Sequence, residues 1–294
     1  LASHARYRAL LVQAKGGDPA PAAIAHPCDA TALSAAVQAA EAGFIAPILI
    51  GPESKIKAAA DTAGIDISPY RLIDTPHSHA AAERAAAMAA AGEVRMLIKG
   101  SLHTDELMSA VLAGDTGLRT ERRLSHCYLM DVPGYDRPLL ITDAAININP
   151  TLEEKADIIR NAIDVAHVIG IETPRVAILA AVETVNPKMR STLDAAALCK
   201  MADRGQISGA LLDGPLAFDN AVSEKAAKEK GITSEVAGRA DILLVPDLEA
   251  GNMVAKQLTS LADADAAGVV LGARVPIVLT SRADSVETRL ASAA

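Results

Sequence analysis

The stretch "RPLLITDAAININPTLEEKADIIRNAIDVAHVIGIETPRVAILAAVE" (137–183) decides the fold. It opens on one aliphatic run, "RPLLITD" (137–143), and closes on another, "RVAILAAVE" (175–183). Short Ile/Leu/Val runs bounded by Pro, Asp or Glu are what strands buried on both faces require. Between them, "NPTLEEKADIIRNAIDVAHVIG" (149–170) repeats its apolar residues at helical spacing. Leu152, Ala156, Ile159, Ile163 and Ala166 fall on one face, and Thr151 with Glu154 forms a capping box at the start. Strand, helix, strand in this order predicts a βαβ unit, whose two strands run parallel.

The same alternation extends in both directions. Further aliphatic runs are "IAPILIG" (45–51), "RMLIKG" (95–100), "SGALLDG" (208–214), "ADILLVPD" (240–247), "AGVVLG" (267–272) and the start of "PIVLTSRADS" (276–285). Ala-rich, helix-favouring segments such as "ATALSAAVQAAEAG" (30–43) and "SHAAAERAAAMAAAG" (78–92) separate them. The fold class expected is α/β with largely parallel sheets. The Asn149–Pro150 turn marks a domain junction, and no internal repeat or low-complexity linker interrupts the pattern.

Composition narrows the function classes. At 294 residues the chain can bury a large core, and 50% of its residues are hydrophobic. Aromatics make up 2% with no Trp, which disfavours base stacking or an aromatic cage. A net charge of −8 argues against nucleic acid or an anionic membrane as partner, while leaving room for a small anion at a local basic cluster. Cys28, Cys127 and Cys199 have no CxxC spacing, so neither a disulfide framework nor a zinc site is expected. No apolar run has transmembrane length and no signal peptide is evident, so a cytoplasmic protein is expected. The chain starts at Leu1 rather than Met, as a piece of a longer chain would.

In open α/β sheets, ligands bind beyond the carboxyl ends of the strands. The polar residues that follow the aliphatic runs are therefore the candidate site: Lys99, Gly100, Ser101, His103 and Thr104; Asp143, Asn147 and Asn149; Asp213 and Asp219; Asp247, Glu249 and Asn252; and Ser281, Arg282 and Asp284. Any one of them taken alone reads first as a cap or turn residue. Arg119, Arg122 and Arg123 in "GLRTERRLSH" (117–126) add a cationic cluster, and Arg282 directly follows a strand. Arg is suited to bidentate capture of phosphate or carboxylate, so a phosphorylated ligand is expected. There is no GxGxxG, GxxxxGK[ST] or HExxH motif, and His77 and His79 alone do not make a metal site. Cys127 reads as a buried thiol.

These stretches together carry a resemblance. "KGSLHTDELM", "GLRTERRLSH", "ITDAAININP", "LLDGPLAFDNA", "ADILLVPDLEAGNMVAKQL" and "LTSRADS" occur in the order found in the phosphate acetyltransferase/phosphate butyryltransferase family. Within it, "AAVETVNPKM" (180–189) and "LTSRADS" look more like the butyryltransferase branch. The resemblance implies two α/β domains of the isocitrate/isopropylmalate-dehydrogenase type with a cleft between them: residues 1–146 with 276–294, and 147–275. It also implies a homodimer, coenzyme A as co-substrate with no bound cofactor or metal, and acyl-CoA, phosphate and acyl phosphate as the molecules handled.

By the same resemblance, Ser281 and Arg282 match a catalytic pair, Arg123, or Arg122, matches a phosphate-binding arginine ahead of the Ser-containing strand, and Ser125 belongs with it to the substrate- and phosphate-binding set. His103 and Thr104 match a His-Thr turn, and Asn252 belongs to the substrate-binding set. Where acetyltransferases carry an Asp proposed as general base, this chain has Thr288, which leaves Asp284 as the nearest carboxylate. Two other readings use the same residues: a metal-dependent NAD(P) dehydrogenase of this fold, and a catalytically silent acyl-CoA-binding domain of a longer enzyme.

Overall fold

The computed structural model describes residues 5–114, 116–279 and 286–294. It resolves into two compact units. One comprises Tyr7–Arg122 with Ala267–Ala294; the other is Arg123–Ala266, joined by Arg6 near the chain's start. The expected division had placed the boundaries at 146/147 and 275/276. The compact units instead keep the paired segments 125–131 and 139–142 with the central part of the chain.

In the first unit, α1 (Ala5–Ala14) leads into β1 (Ala20–Ala25), α2 (Ala30–Glu41), β2 (Ile45–Gly51), α3 (Glu53–Ala63), β3 (Arg71–Asp74), α4 (Ser78–Ala90), β4 (Met96–Lys99) and α5 (Thr104–Leu112). Its strands lie in the order β3-β2-β1-β4, and β1 pairs parallel with both β2 and β4. Ile24 of β1 aligns with Leu49 and with Ile98. Ile24, Leu33, Leu49, Ile56 and Ile98 close one aliphatic core. Parallel pairing sends the carboxyl ends of all four strands to one edge, and the helices that follow start there.

The central unit holds β5 (Ser125–Asp131), β6 (Leu139–Thr142), α6 (Leu152–Val168), β7 (Arg175–Leu179), α7 (Arg190–Asp203), β8 (Leu211–Leu216), α8 (Phe218–Val222), α9 (Glu224–Glu229), β9 (Ile242–Leu244), α10 (Leu248–Leu261) and the start of β10 (Asp265–Leu271). Its strand order is β5-β6-β9-β7-β8, parallel except for the antiparallel β5–β6 pair. Successive residues serve opposite faces. Val176 and Ile178 of β7, with Ile242 and Leu244 of β9, join Ile159 and Leu198 from α6 and α7. Ala177, Leu179 and Leu243 join Ala221, Ala227 and Ala255 from α8, α9 and α10. That two-sided burial is why these strands read as continuous aliphatic runs.

Chain passage through β10 returns to the first unit, where β11 (Ile277–Val278) pairs antiparallel with β10 and parallel with β4, Val278 beside Ile98. The chain ends in α11 (Val286–Ala293). The α/β class and the largely parallel sheets are as the sequence predicts, and among the described residues no helix is long and apolar enough to cross a membrane.

Candidate active site

Each unit carries polar residues at the carboxyl edge of its own strands. In the central unit they are organised by Asp143, just after β6 and 2% exposed. Its carboxylate accepts from the backbone N–H groups of Ala145 (2.9 Å), Ile146 (3.0 Å) and Asn147 (3.1 Å), and from Asn147 Nδ2. An anion ringed by donors in this way fixes a loop. Asp143 is therefore a loop former, a role that a strand-end carboxylate often has.

The loop in turn aims Arg123. Its Nε donates to Asn147 Oδ1 at 2.7 Å, its Nη1 pairs with Glu154 at 3.1 Å, and its backbone N–H donates to Asp157 at 3.0 Å. The side chain remains 52% exposed, and among the described residues its Nη2 has no hydrogen-bond partner. Arg123 thus keeps one fork of its guanidinium for an anion. Ser125 is 1% exposed, and its Oγ accepts from Asn161 Nδ2 at 2.8 Å, which ties β5 to α6. In this arrangement its hydroxyl serves packing, because it is closed to a ligand. Asn252, one turn into α10, donates to Ala144 O at 3.4 Å. Gly251 beside it must be Gly, since a Cβ there would stand 2.6 Å from Asp143 O.

In the first unit, β4 ends at Lys99, which is 8% exposed and whose ammonium donates to Leu102 O at 3.2 Å. His103 is exposed and stands as N-cap of α5, and Thr104 opens that helix. The His103 N–H donates to Glu106 Oε2 at 3.3 Å. Glu106 also receives the Ser78 hydroxyl at 3.1 Å and faces His79 Nδ1 at 3.3 Å, which joins the starts of α4 and α5. Arg122 is exposed, with its N–H on Thr120 Oγ1 at 3.1 Å. Ser281, Arg282 and Asp284 lie outside the described residues.

One group at this edge escaped the sequence reading. His26, directly after β1, has a left-handed backbone (φ 57°), and its Nδ1 is 3.1 Å from Ser101 Oγ. Its signal was the polar "HPCD" (26–29) after "APAAIA" (20–25), an Ala-rich strand without the usual Ile/Leu/Val density. Among the described residues, no three His, Cys, Asp or Glu side chains are grouped as metal ligands.

Residues 77–294 match the family model described as phosphate acetyl/butaryl transferase. The chain belongs to this family. It is 60% identical over 293 residues to the phosphate acetyltransferase of Rhizobium meliloti, covering all of this chain and 93% of that one. It is 43% identical over 288 residues to the phosphate butyryltransferase of Clostridium acetobutylicum, covering 98% and 96%. Of these two, the acetyltransferase has the higher identity. The crystal structure of a branched-chain phosphotransacylase from Enterococcus faecalis V583 superposes with a TM-score of 0.82 at 30% identity, covering 93% of this chain and 96% of that one. Membership makes this protein an acyltransferase, and the dehydrogenase reading is not favoured.

Proposed function

We propose that this phosphate acyltransferase moves a short acyl group reversibly between coenzyme A and inorganic phosphate, by direct attack of the CoA thiol on an acyl phosphate held in the same complex. The observation that carries the proposal is the full-length similarity to relatives named for both acetyl and butyryl transfer. The site chemistry fits it. Arg123 offers an open guanidinium fork for phosphoryl oxygens, and the resemblance adds Arg282, with Arg122 as the neighbouring cation. Ser281 would hydrogen-bond the carbonyl oxygen as charge develops, a contact typically worth about 3 kcal/mol. His103, Thr104 and Asn252 would line the substrate's path. The enzyme works as a cytoplasmic homodimer that takes CoA as co-substrate.

The test is purified protein with acetyl, propionyl or butyryl phosphate and CoA, read as thioester formation at 232 nm. Thioester formation that requires CoA supports the proposal, and the rank of the three donors gives the chain preference. Absence of thioester from every donor would instead support the acyl-CoA-binding reading.

A further inference from the structure

Hydrogen-bond accounting around Ser101 fixes the state of His26. A serine hydroxyl has one proton and two lone pairs. Ser101 Oγ lies 2.8 Å from His26 O, which can only accept, so the hydroxyl proton goes there. The Cys28 N–H, which also donates to His26 O at 2.9 Å, reaches one lone pair at 3.2 Å. The remaining contact, His26 Nδ1 at 3.1 Å, must then be a donor. His26 is thereby the Nδ1–H tautomer, and its Nε2 carries a bare lone pair. No protein group bonds that nitrogen among the described residues, and the ring is half-buried.

Several features hold the ring in place. The chain turns sharply at the end of β1 through the left-handed conformation of His26, a conformation that costs a non-Gly residue energy. Gly100 packs directly against this turn, and a Cβ on it would fall 2.5 Å from His26 O. Charged groups face the ring from each packed element: Lys55 from α3, Glu106 from α5, and Asp29 before α2. Burial first, and then Lys55, lower the imidazole's pKa from 6.5 against the opposing carboxylates, so the ring is neutral at pH 7.

The other imidazoles near strand ends differ from it, and His103, after β4, stands exposed at the start of α5. His77 Nδ1 caps α4 at Ala80 N, His79 faces Glu106, and His126 is 1% exposed. β4 separates β1 from β11, which puts β1 and β11 about 10 Å apart. A substrate lying over the end of β4 comes within reach of His26.

We propose that His26 Nε2 is the acceptor of the CoA thiol proton, in place of Asp284; this rests on the acyl-transfer reading above. The S–H pair stays on sulfur as the proton passes to Nε2. Sulfur bonds the acyl carbon, and the carbon–oxygen bond to phosphate breaks with its electron pair on the departing phosphate oxygen. The imidazolium then gives its proton to phosphate or water. In the reverse direction it protonates the leaving thiolate.

His26→Asn is the decisive variant, because Asn tolerates the left-handed backbone and its amide keeps a donor toward Ser101 while the Nε2 lone pair is lost. With acetyl phosphate and CoA, kcat at pH 7 should fall on the order of 100-fold with KM for CoA nearly unchanged, and the loss should shrink as pH approaches 9 and solvent supplies thiolate. His26→Gly, which also fits the positive φ, should regain rate with added imidazole. A His26→Asn kcat within about twofold of wild type, a change confined to KM, or a deep loss that neither pH nor imidazole restores would overturn the assignment. So would a pH-dependent loss in Asp284→Asn that His26→Asn lacks. Wild-type protein that forms no thioester would contradict the acyl-transfer reading itself, whatever His26 does.

Discussion

Arg123 is aimed by Asn147: Nε donates to Oδ1 at 2.7 Å, and Asn147 is itself held by Asp143, two elements away from the arginine. A side chain with this support pays little ordering entropy when it receives an anion. Arg123→Lys should therefore raise KM for phosphate by roughly 10- to 100-fold, since a point charge cannot hold both Asn147 and a phosphoryl oxygen. Asn147→Ala should give a smaller rise in the same constant. Phosphate-dependence kinetics in the acyl-phosphate-forming direction check both, and an unchanged KM in Arg123→Lys would remove Arg123 from the phosphate site.

His126 makes an acid-sensitive core. Its ring is buried, packs edge-to-face on Tyr128 at 4.3 Å, and leaves Nδ1 without a partner among the described residues. Burial pushes its pKa down to about 4, partly offset by Asp143. Because the folded pKa lies below the unfolded one, its contribution is complete above about pH 6.5 and is lost as pH falls toward 4. Between pH 7 and 4.5 it should remove about 2–3 kcal/mol of stability. Urea melts across that range should show a flatter pH dependence for His126→Gln than for wild type. Parallel curves would mean that His126 does not titrate against the fold.

Lys155 and Asp194 form a buried pair between α6 and α7 at 2.7 Å, and Arg190 stands 3.5 Å from the same carboxylate. The two partners are thus unequal. Asp194→Leu leaves a buried ammonium without its anion and should cost about 3–5 kcal/mol. Lys155→Met leaves Asp194 with Arg190 and should cost clearly less. Equal losses in thermal melts would show that Arg190 does not compensate.

The cysteines should be inert. Burial raises the thiol of Cys28 to about 11 and that of Cys199 to about 12, and drives Cys127 higher still. A thiol so far from ionised at neutral pH is a poor nucleophile. Iodoacetamide at pH 7.5 should leave transfer activity intact, and so should the Cys28→Ser/Cys199→Ser double variant. Rapid inactivation at one equivalent of reagent would point to an acyl-enzyme instead of direct transfer.

Much of the architecture was legible where burial imposes a pattern. "IAPILIG" is β2 to the residue, and the Thr151–Glu154 box starts α6 as its spacing demands. β1 was missed because Ala-rich "APAAIA" carries little of the β-branched signal, and β5 because "SHCYLMD" mixes polar and aromatic residues. The polar residues at strand ends were also visible, but their division of labour was not. Ser125 is occupied by Asn161, 36 positions away, and Arg123 is aimed by Asn147, 24 away. Long-range partners of that kind leave no local trace in a sequence.

The most direct test of the central claim is a thioester assay with purified wild-type protein, an acyl phosphate and CoA, run in parallel with Arg282→Lys. Thioester and inorganic phosphate should form in a 1:1 ratio only when CoA is present, the reaction should reverse with acyl-CoA and phosphate, and Arg282→Lys should be at least about 10-fold slower. Phosphate released without thioester, or an Arg282→Lys enzyme as fast as wild type, would contradict the claim.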